Sequence, residues 1–324
     1  MKKLIIGVDV SKSKLDYCVY NGEVVVKGKI NYDEKNVNKF FNSLQYKKEE
    51  ILIVMEATGT YHLRLSTFLT KHNFPYSIVN PFIIKKYAEA KMIRAKTDSV
   101  DAKLISIFGY EQQPPQFKPR SIVQENIINL LKLIDDFTQT RTDYERRLEA
   151  AIHNPTNSKV IINNIKSTIN YFQKKVEKLE RDLYNLVTEF YPVEFERYTK
   201  INSVGKKTGA ILVAYFGSFE NFESSKQVVS YIGINPSPKI SGKSVRGRGS
   251  ISKKGNCYLR KQLYMTSLSS IQHNPRCKVF YERLRANGKE HKVARVATMN
   301  KLIKQIFAIG KYKRNYDPNY VFNA

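Results

Sequence analysis

Between Ser121 and Phe190 the chain runs for seventy residues without a glycine, and its one evident break is the pair Asn154-Pro155. Apolar side chains recur there at steps of three and four. Ile127, Leu130, Leu131, Ile134 and Phe137 form one series, and Ile161, Ile165, Ile169, Phe172, Val176, Leu179, Leu183 and Leu186 form the other. Steps of this kind place the apolar residues on one helical face. Two long helical patterns meeting at a proline predict an antiparallel hairpin or coiled coil that serves spacing or self-association. Two ordinary helices packed on a neighbouring domain would read the same way. The segment divides the chain into three parts: residues 1–118, 119–198 and 199–324.

Charge follows the same division. Lys and Arg number 55 against 29 Asp and Glu, a net +26. Residues 1–120 carry 20 basic and 12 acidic side chains, residues 121–198 carry 11 and 12, and residues 199–324 carry 24 and 5. The excess is therefore concentrated in the last part, the footprint of a surface that meets a polyanion. A hydrophobic fraction of 42% excludes a wholly disordered basic chain. Cys18, Cys257 and Cys277 form no CxxC pair, so neither a disulfide framework nor a zinc site is indicated. Asp9 interrupts the first apolar run below signal-peptide length, and no later stretch is long enough to span a bilayer. A cytoplasmic protein without a membrane partner is expected.

The first part alternates strand and helix patterns. Lys3–Val10 reads as a buried strand, and Leu15–Tyr20 with Glu23–Ile30 as a hairpin around Asn21-Gly22. Asn36–Leu44 reads as a helix and Ile51–Met55 as a strand. Tyr61–His72 is helical and Tyr76–Val79 a strand, followed by helices after Pro81 and from Asp98 to Phe108. This order predicts a mixed α/β sheet with helices on its faces. Four carboxylates occupy telling positions. Asp9 ends the first strand and Glu56 ends ILIVM, so neighbouring strands would bring them to matching ends; Asp98 and Asp101 share one face of a helix start. Converging carboxylates suit Mg²⁺ or Mn²⁺ and a two-metal phosphodiester reaction. Taken singly, each acid also has a bland reading as a strand end, a helix cap or a partner of lysine.

The last part predicts a mostly α-helical basic domain. Lys200–Phe219 resembles half of a helix-hairpin-helix, whose turn amides would face a phosphate. Gly233–Gly255 holds five serines, two prolines, six basic residues and no acid, which predicts an irregular loop lying along phosphates. Lys243, Arg246, Arg248, Lys253, Lys254 and, beyond it, Arg260 are the expected nucleic-acid contacts. On composition, Ser237, Ser241, Ser244, Ser250 and Ser252 are equal candidates for a nucleophile. Farther on, Arg283, Arg285, Lys289, Lys292, Arg295, Lys301 and Lys304 extend the basic surface, and Tyr258, Tyr264, Phe280 and Tyr281 read as core at helical spacing, with base stacking as the lesser reading.

These pieces carry a resemblance. GVDVSKSKLD, MEATGTYH, VNP and AKTDSVDAK resemble, in order, the N-terminal domain of DEDD-type insertion-sequence transposases. YIGINPSPKISGKSVRGRGSISKKGNCYLRKQLY and NPRCKVFYERLRANGKEHKVARVAT resemble that family's C-terminal domain, and the match spans almost the whole chain. The resemblance implies a RuvC-like, RNase H-like first domain whose four acids map onto Asp9, Glu56, Asp98 and Asp101. It singles out Ser241 as a catalytic serine that forms a phosphoserine link to DNA. It further implies metal ions at the acids, a homodimer or homotetramer in which one subunit's serine completes another's site, and excision of the element as a circle. A structured bridge RNA would pair with donor and target DNA. A Holliday-junction-type resolvase would use the same acids with water and no serine, and a non-catalytic nucleic-acid-binding protein would need neither.

Overall fold

A computed structural model describes residues 4–44, 46–57, 59–92, 98–241 and 245–319. The five segments of the first part that read as strands are strands in it. The chain enters through β1 (Leu4–Val10), β2 (Lys14–Tyr20) and β3 (Val24–Asn31), then α1 (Glu34–Asn42) and β4 (Ile51–Glu56). It continues through α2 (Tyr61–Lys71), β5 (Tyr76–Val79), α3 (Pro81–Ala90) and α4 (Asp98–Gln112). The sheet order is β3-β2-β1-β4-β5, antiparallel from β3 to β1 and parallel from β1 to β5. Asp33 caps α1 by accepting from the Asn36 amide at 2.9 Å, a bond that holds its carboxyl below the ordinary range.

Alternation along β1 divides the residues between two faces. Ile6, Val8 and Val10 pack with Val37 and Phe41 of α1 and Leu65 and Leu69 of α2. On the other face Ile5 packs with Val54, Ile84 of α3, and Leu104, Ile105 and Phe108 of α4. Gly7 lies on that second face, and a Cβ there would stand 2.4 Å from both the Ala102 carbonyl oxygen and the Ser106 amide nitrogen. Both atoms are α4 backbone and cannot swing aside. Gly7→Ala is therefore expected to lift α4 from the sheet and destabilise the unit by about 3 kcal/mol, read from the shift in urea midpoint. An unchanged midpoint would show that α4 tolerates displacement.

Residues Met1–Pro119 form one compact unit and Arg120–Ala324 a second. The second begins with α5 (Ile122–His153) and α6 (Lys159–Phe190), each 32 residues, or about 48 Å long. They pair as an antiparallel hairpin. Its outer half is held by contacts such as Phe137 against Phe172, with ring centroids 5.6 Å apart. Its root is not freestanding: Ile127, Ile128, Leu131, Leu183 and Val187 belong to the same core as the helices that follow. Those are α7 (Pro192–Thr199), α8 (Lys206–Phe216) and α9 (Ser225–Ile232), then strands β6 (Pro236–Ser241) and β7 (Val245–Ile251), then α10 (Cys257–His273), α11 (Pro275–Ala286) and α12 (His291–Lys311). Asp135 of α5 ties the root down, accepting from Lys207 of α8 and, at 2.7 Å, from Gln262 of α10.

One expectation needs correction. The glycine-rich segment is not an irregular loop but an antiparallel hairpin, with Ser241 opposite Val245, Ile240 opposite Arg246 and Pro236 opposite Ile251. A two-stranded ribbon has a free edge on each strand and so tolerates residues without an amide hydrogen such as Pro236, and the register is irregular at Ser237/Lys239. The segment expected as half of a helix-hairpin-helix is α7, a turn through Ser203–Gly205, and α8, whose start at Gly205 and Lys206 is exposed while Gly209 to Phe216 is buried in the core. Cys18 and Cys277 are buried and Cys257 is exposed, and desolvation pushes the Cys277 thiol up to about 11. A thiol reagent is expected to label Cys257 quickly in the native protein, and the other two only after denaturation.

Candidate active site and basic hairpin

The parallel register of β1 and β4 runs from Leu4 beside Ile51 to Val8 beside Met55, so its next step sets Asp9 beside Glu56. Both fall on the sheet face that α4 covers, because Ile5, Gly7 and Asp9 alternate to one side of β1 and Leu52, Val54 and Glu56 to the same side of β4. Helix α4 approaches Gly7 through Ala102 and Ser106, and it approaches Ile5 and Val54 through Gly109. It therefore runs antiparallel to β1, and its first turn lies toward the end that carries Asp9 and Glu56. Asp101 is in that turn, and Asp98 is the first residue of the helix. Asp9, Glu56 and Asp101 are each partly exposed, as a reactive carboxylate must be. The positive end of the helix dipole offsets part of the repulsion among them.

On sequence Asp16 reads as an ordinary surface acid, and the structure corrects that reading. It stands directly opposite Asp9 in the β1–β2 hairpin, is 5% exposed, and forms an ion pair of 3.1 Å with Lys29. The signal was available, because a tight turn between Val10 and Leu15 forces Asp9 and Asp16 into register. The site thus has a fifth carboxylate behind it, already neutralised by its own lysine. Among the described residues no three His, Cys, Asp or Glu side chains are grouped so as to hold a metal ion; the Asp98 side chain lies outside them. The donor set is nonetheless of one chemical kind, carboxylate oxygens on one face at one sheet end, and that kind fits Mg²⁺ or Mn²⁺.

In the second unit, Ser241 is the final residue of β6, where the hairpin turns. Lys243 lies outside the described residues, as do the side chains of Ser241, Arg246 and Arg248, although the backbone places Arg246 and Arg248 on β7. Lys253 and Lys254 are exposed just beyond it, Lys253 at a positive φ of 55°. Arg260 is engaged internally. Its guanidinium donates to the Ile232 carbonyl at 2.8 Å, tying α10 to the end of α9. Arg295 is buried rather than displayed: it stacks on Tyr264, 3.6 Å from the ring centre, and donates to the Tyr264 carbonyl at 2.9 Å. Among the described residues no helix is long and apolar enough to cross a membrane.

Comparison with known proteins agrees with this layout. Residues 6–154 match the DEDD transposase family of the element IS110, described as a transposase. Residues 196–282 match the family described as "Transposase IS116/IS110/IS902 family". The chain is 28% identical to the pilin gene-inverting protein of Moraxella bovis and 27% to that of Moraxella lacunata, over 98% of each chain in both comparisons. It is 21% identical to the transposase for insertion sequence element IS1111A of Coxiella burnetii, over 83% of this chain and 78% of that one. The protein is accordingly an enzyme of DNA recombination, a transposase or recombinase. It belongs to the IS110-type family of insertion-sequence transposases.

Proposed function

We propose that the protein excises and inserts a mobile DNA element through a phosphoserine intermediate, with the strand chemistry divided between its two units. The first unit is read as an RNase H-like, RuvC-like domain. What supports this is the strand order β3-β2-β1-β4-β5, antiparallel on one side of β1 and parallel on the other, with acids at the ends of β1 and β4. Asp9, Glu56, Asp98 and Asp101 would hold a divalent ion, which supplies Lewis-acid stabilisation of charge at the transferring phosphoryl group. These acids position the scissile phosphate and accept the proton that the attacking hydroxyl releases. Ser241 Oγ forms a bond to phosphorus as a deoxyribose oxygen leaves with the bond's electron pair. Rejoining reverses this step: a DNA hydroxyl attacks the phosphoserine and returns the serine, so no high-energy cofactor is consumed.

The observation that carries the proposal is the convergence of Asp9, Glu56 and the first turn of α4 on one sheet end. Basic residues of β7 and after it, Arg246, Arg248, Lys253 and Lys254, would hold double-stranded DNA through its phosphates. In a homodimer or homotetramer the serine of one subunit would serve the acids of another. A structured bridge RNA encoded beside the gene would supply base pairing to donor and target, leaving the protein to read shape and backbone. The test is to express the protein with its native flanking DNA and sequence both the excision products and the co-purifying RNA. A circular element junction and one discrete noncoding RNA are expected. Nicked or hydrolysed ends without a junction would instead favour a junction resolvase. Heterogeneous RNA lost at moderate salt would remove the guide.

A further inference from the structure

The second unit holds an open cavity of about 820 Å³ to which the recombination chemistry assigns nothing. One wall is the root of the β6–β7 hairpin, at Ser237 and Ser250, and the other is the facing surface of α11 and α12. The α12 residues in it, from Val293 through Asn300 to Lys304, recur at three- and four-residue steps and so form one continuous face. Three features describe the occupant. Phe280 offers a half-buried aromatic ring, accompanied by the cations of Arg283 at 5.3 Å and Lys301 at 5.8 Å from its centre. Lys292, Lys301 and Lys304 line the cavity, and among the described residues no acid does. The Asn300 side-chain oxygen is buried without a hydrogen-bond partner among the described residues. A buried acceptor left unpaired is costly, so it calls for a donor brought by a ligand.

An aromatic ring, an unsatisfied amide acceptor and a surround of lysines match an unpaired nucleobase with an exocyclic amine, flanked by its phosphates. We propose that the cavity takes one unpaired base of the DNA strand engaged by Ser241, stacked on Phe280 and hydrogen-bonded to Asn300, with the neighbouring phosphates on Lys292, Lys301 and Lys304. The proposal rests on the reading that Ser241 acts on DNA. It commits to DNA because the wall is the very strand that ends in Ser241. Ser237 precedes that residue by four positions, about 13 Å along an extended strand, so the held base lies within about four nucleotides of the scissile phosphate.

The test uses the full-length protein and single-stranded DNA of the element end, in which one base at a time is replaced by an abasic site. One position within four nucleotides of the cleavage point is expected to lose about tenfold in affinity when its base is removed, with adenine or cytosine preferred there over thymine. Phe280→Ala is expected to abolish that dependence and Phe280→Trp to keep it. Asn300→Leu, which leaves the ring in place, is expected to remove only the preference for amine-bearing bases. Lys304→Ala is expected to weaken intact and abasic strands equally. Abasic strands that bind as tightly as intact ones at every position would overturn the proposal. So would a base dependence that survives Phe280→Ala, or one shown by RNA of the same sequence and not by DNA. Binding needs no cleavage, so an active Ser241→Ala variant would remove the serine's role in the reaction, whereas the abasic-site result is read from binding alone.

Discussion

Replacing Ser241 by alanine is expected to abolish formation of recombined DNA while the protein still folds and binds. The substitution removes one oxygen at the last position of β6, where the backbone pairs with Val245 and the ladder needs no side-chain hydroxyl. Stability should therefore move by no more than about 0.5 kcal/mol. Binding should survive because it draws on phosphate contacts from several lysines and arginines, each a small part of the total. The reaction has no substitute nucleophile at that point, so the rate should fall about a thousandfold or more. A resolvase using water would keep its cleavage rate in the same variant. Strand cleavage and rejoining measured separately on a labelled element end distinguish the two outcomes.

An effect of the same size is expected from Asp9→Asn, for a different physical reason. Asp9 lies beside Glu56 and across from Asp16, beneath the helix that carries Asp101. Like charges so arranged repel, and an added divalent cation relieves that repulsion. The neutral amide preserves shape but turns one acceptor oxygen into an NH2 donor and removes one charge from the donor set. The variant should thus be as stable as the native protein without metal, or slightly more so. Mg²⁺ or Mn²⁺ should raise the melting temperature of the native protein and have much less effect on Asp9→Asn, because only binding to the folded state stabilises it. Cleavage should fall about a thousandfold with DNA affinity unchanged. A variant that keeps its thermal response to metal and its activity would remove Asp9 from the site.

Much of the first unit was legible because its signals are local. ILIVM, short and rich in β-branched residues, reads as a buried strand, and a carboxylate at the end of such a strand marks a sheet end. Asp16 was passed over for want of register: its importance lies in the residue opposite, which appears only once the turn between Val10 and Leu15 is counted out. The β6–β7 hairpin was hidden by composition. Glycine, proline and serine are poor strand formers, and the ladder between Ile240 and Arg246 forms because a two-stranded ribbon tolerates them at its free edges. Arginine roles were least legible of all. Arg260 and Arg295 carry the same charge as their exposed neighbours, yet one clamps the Ile232 carbonyl and the other lies buried on Tyr264. Which face of a helix an arginine occupies depends on how α9, α10 and α12 pack, and no local pattern records that.

On this mechanism a serine of the second unit becomes bonded to DNA. The direct measurement is to react the protein with an element end carrying a nick that blocks rejoining, digest the trapped complex, and identify the modified peptide by mass spectrometry. A nucleotide adduct is expected on the peptide containing Ser241, absent in Ser241→Ala and in Asp9→Asn. Cleaved DNA with no covalent protein, or an adduct on any other residue, would contradict it.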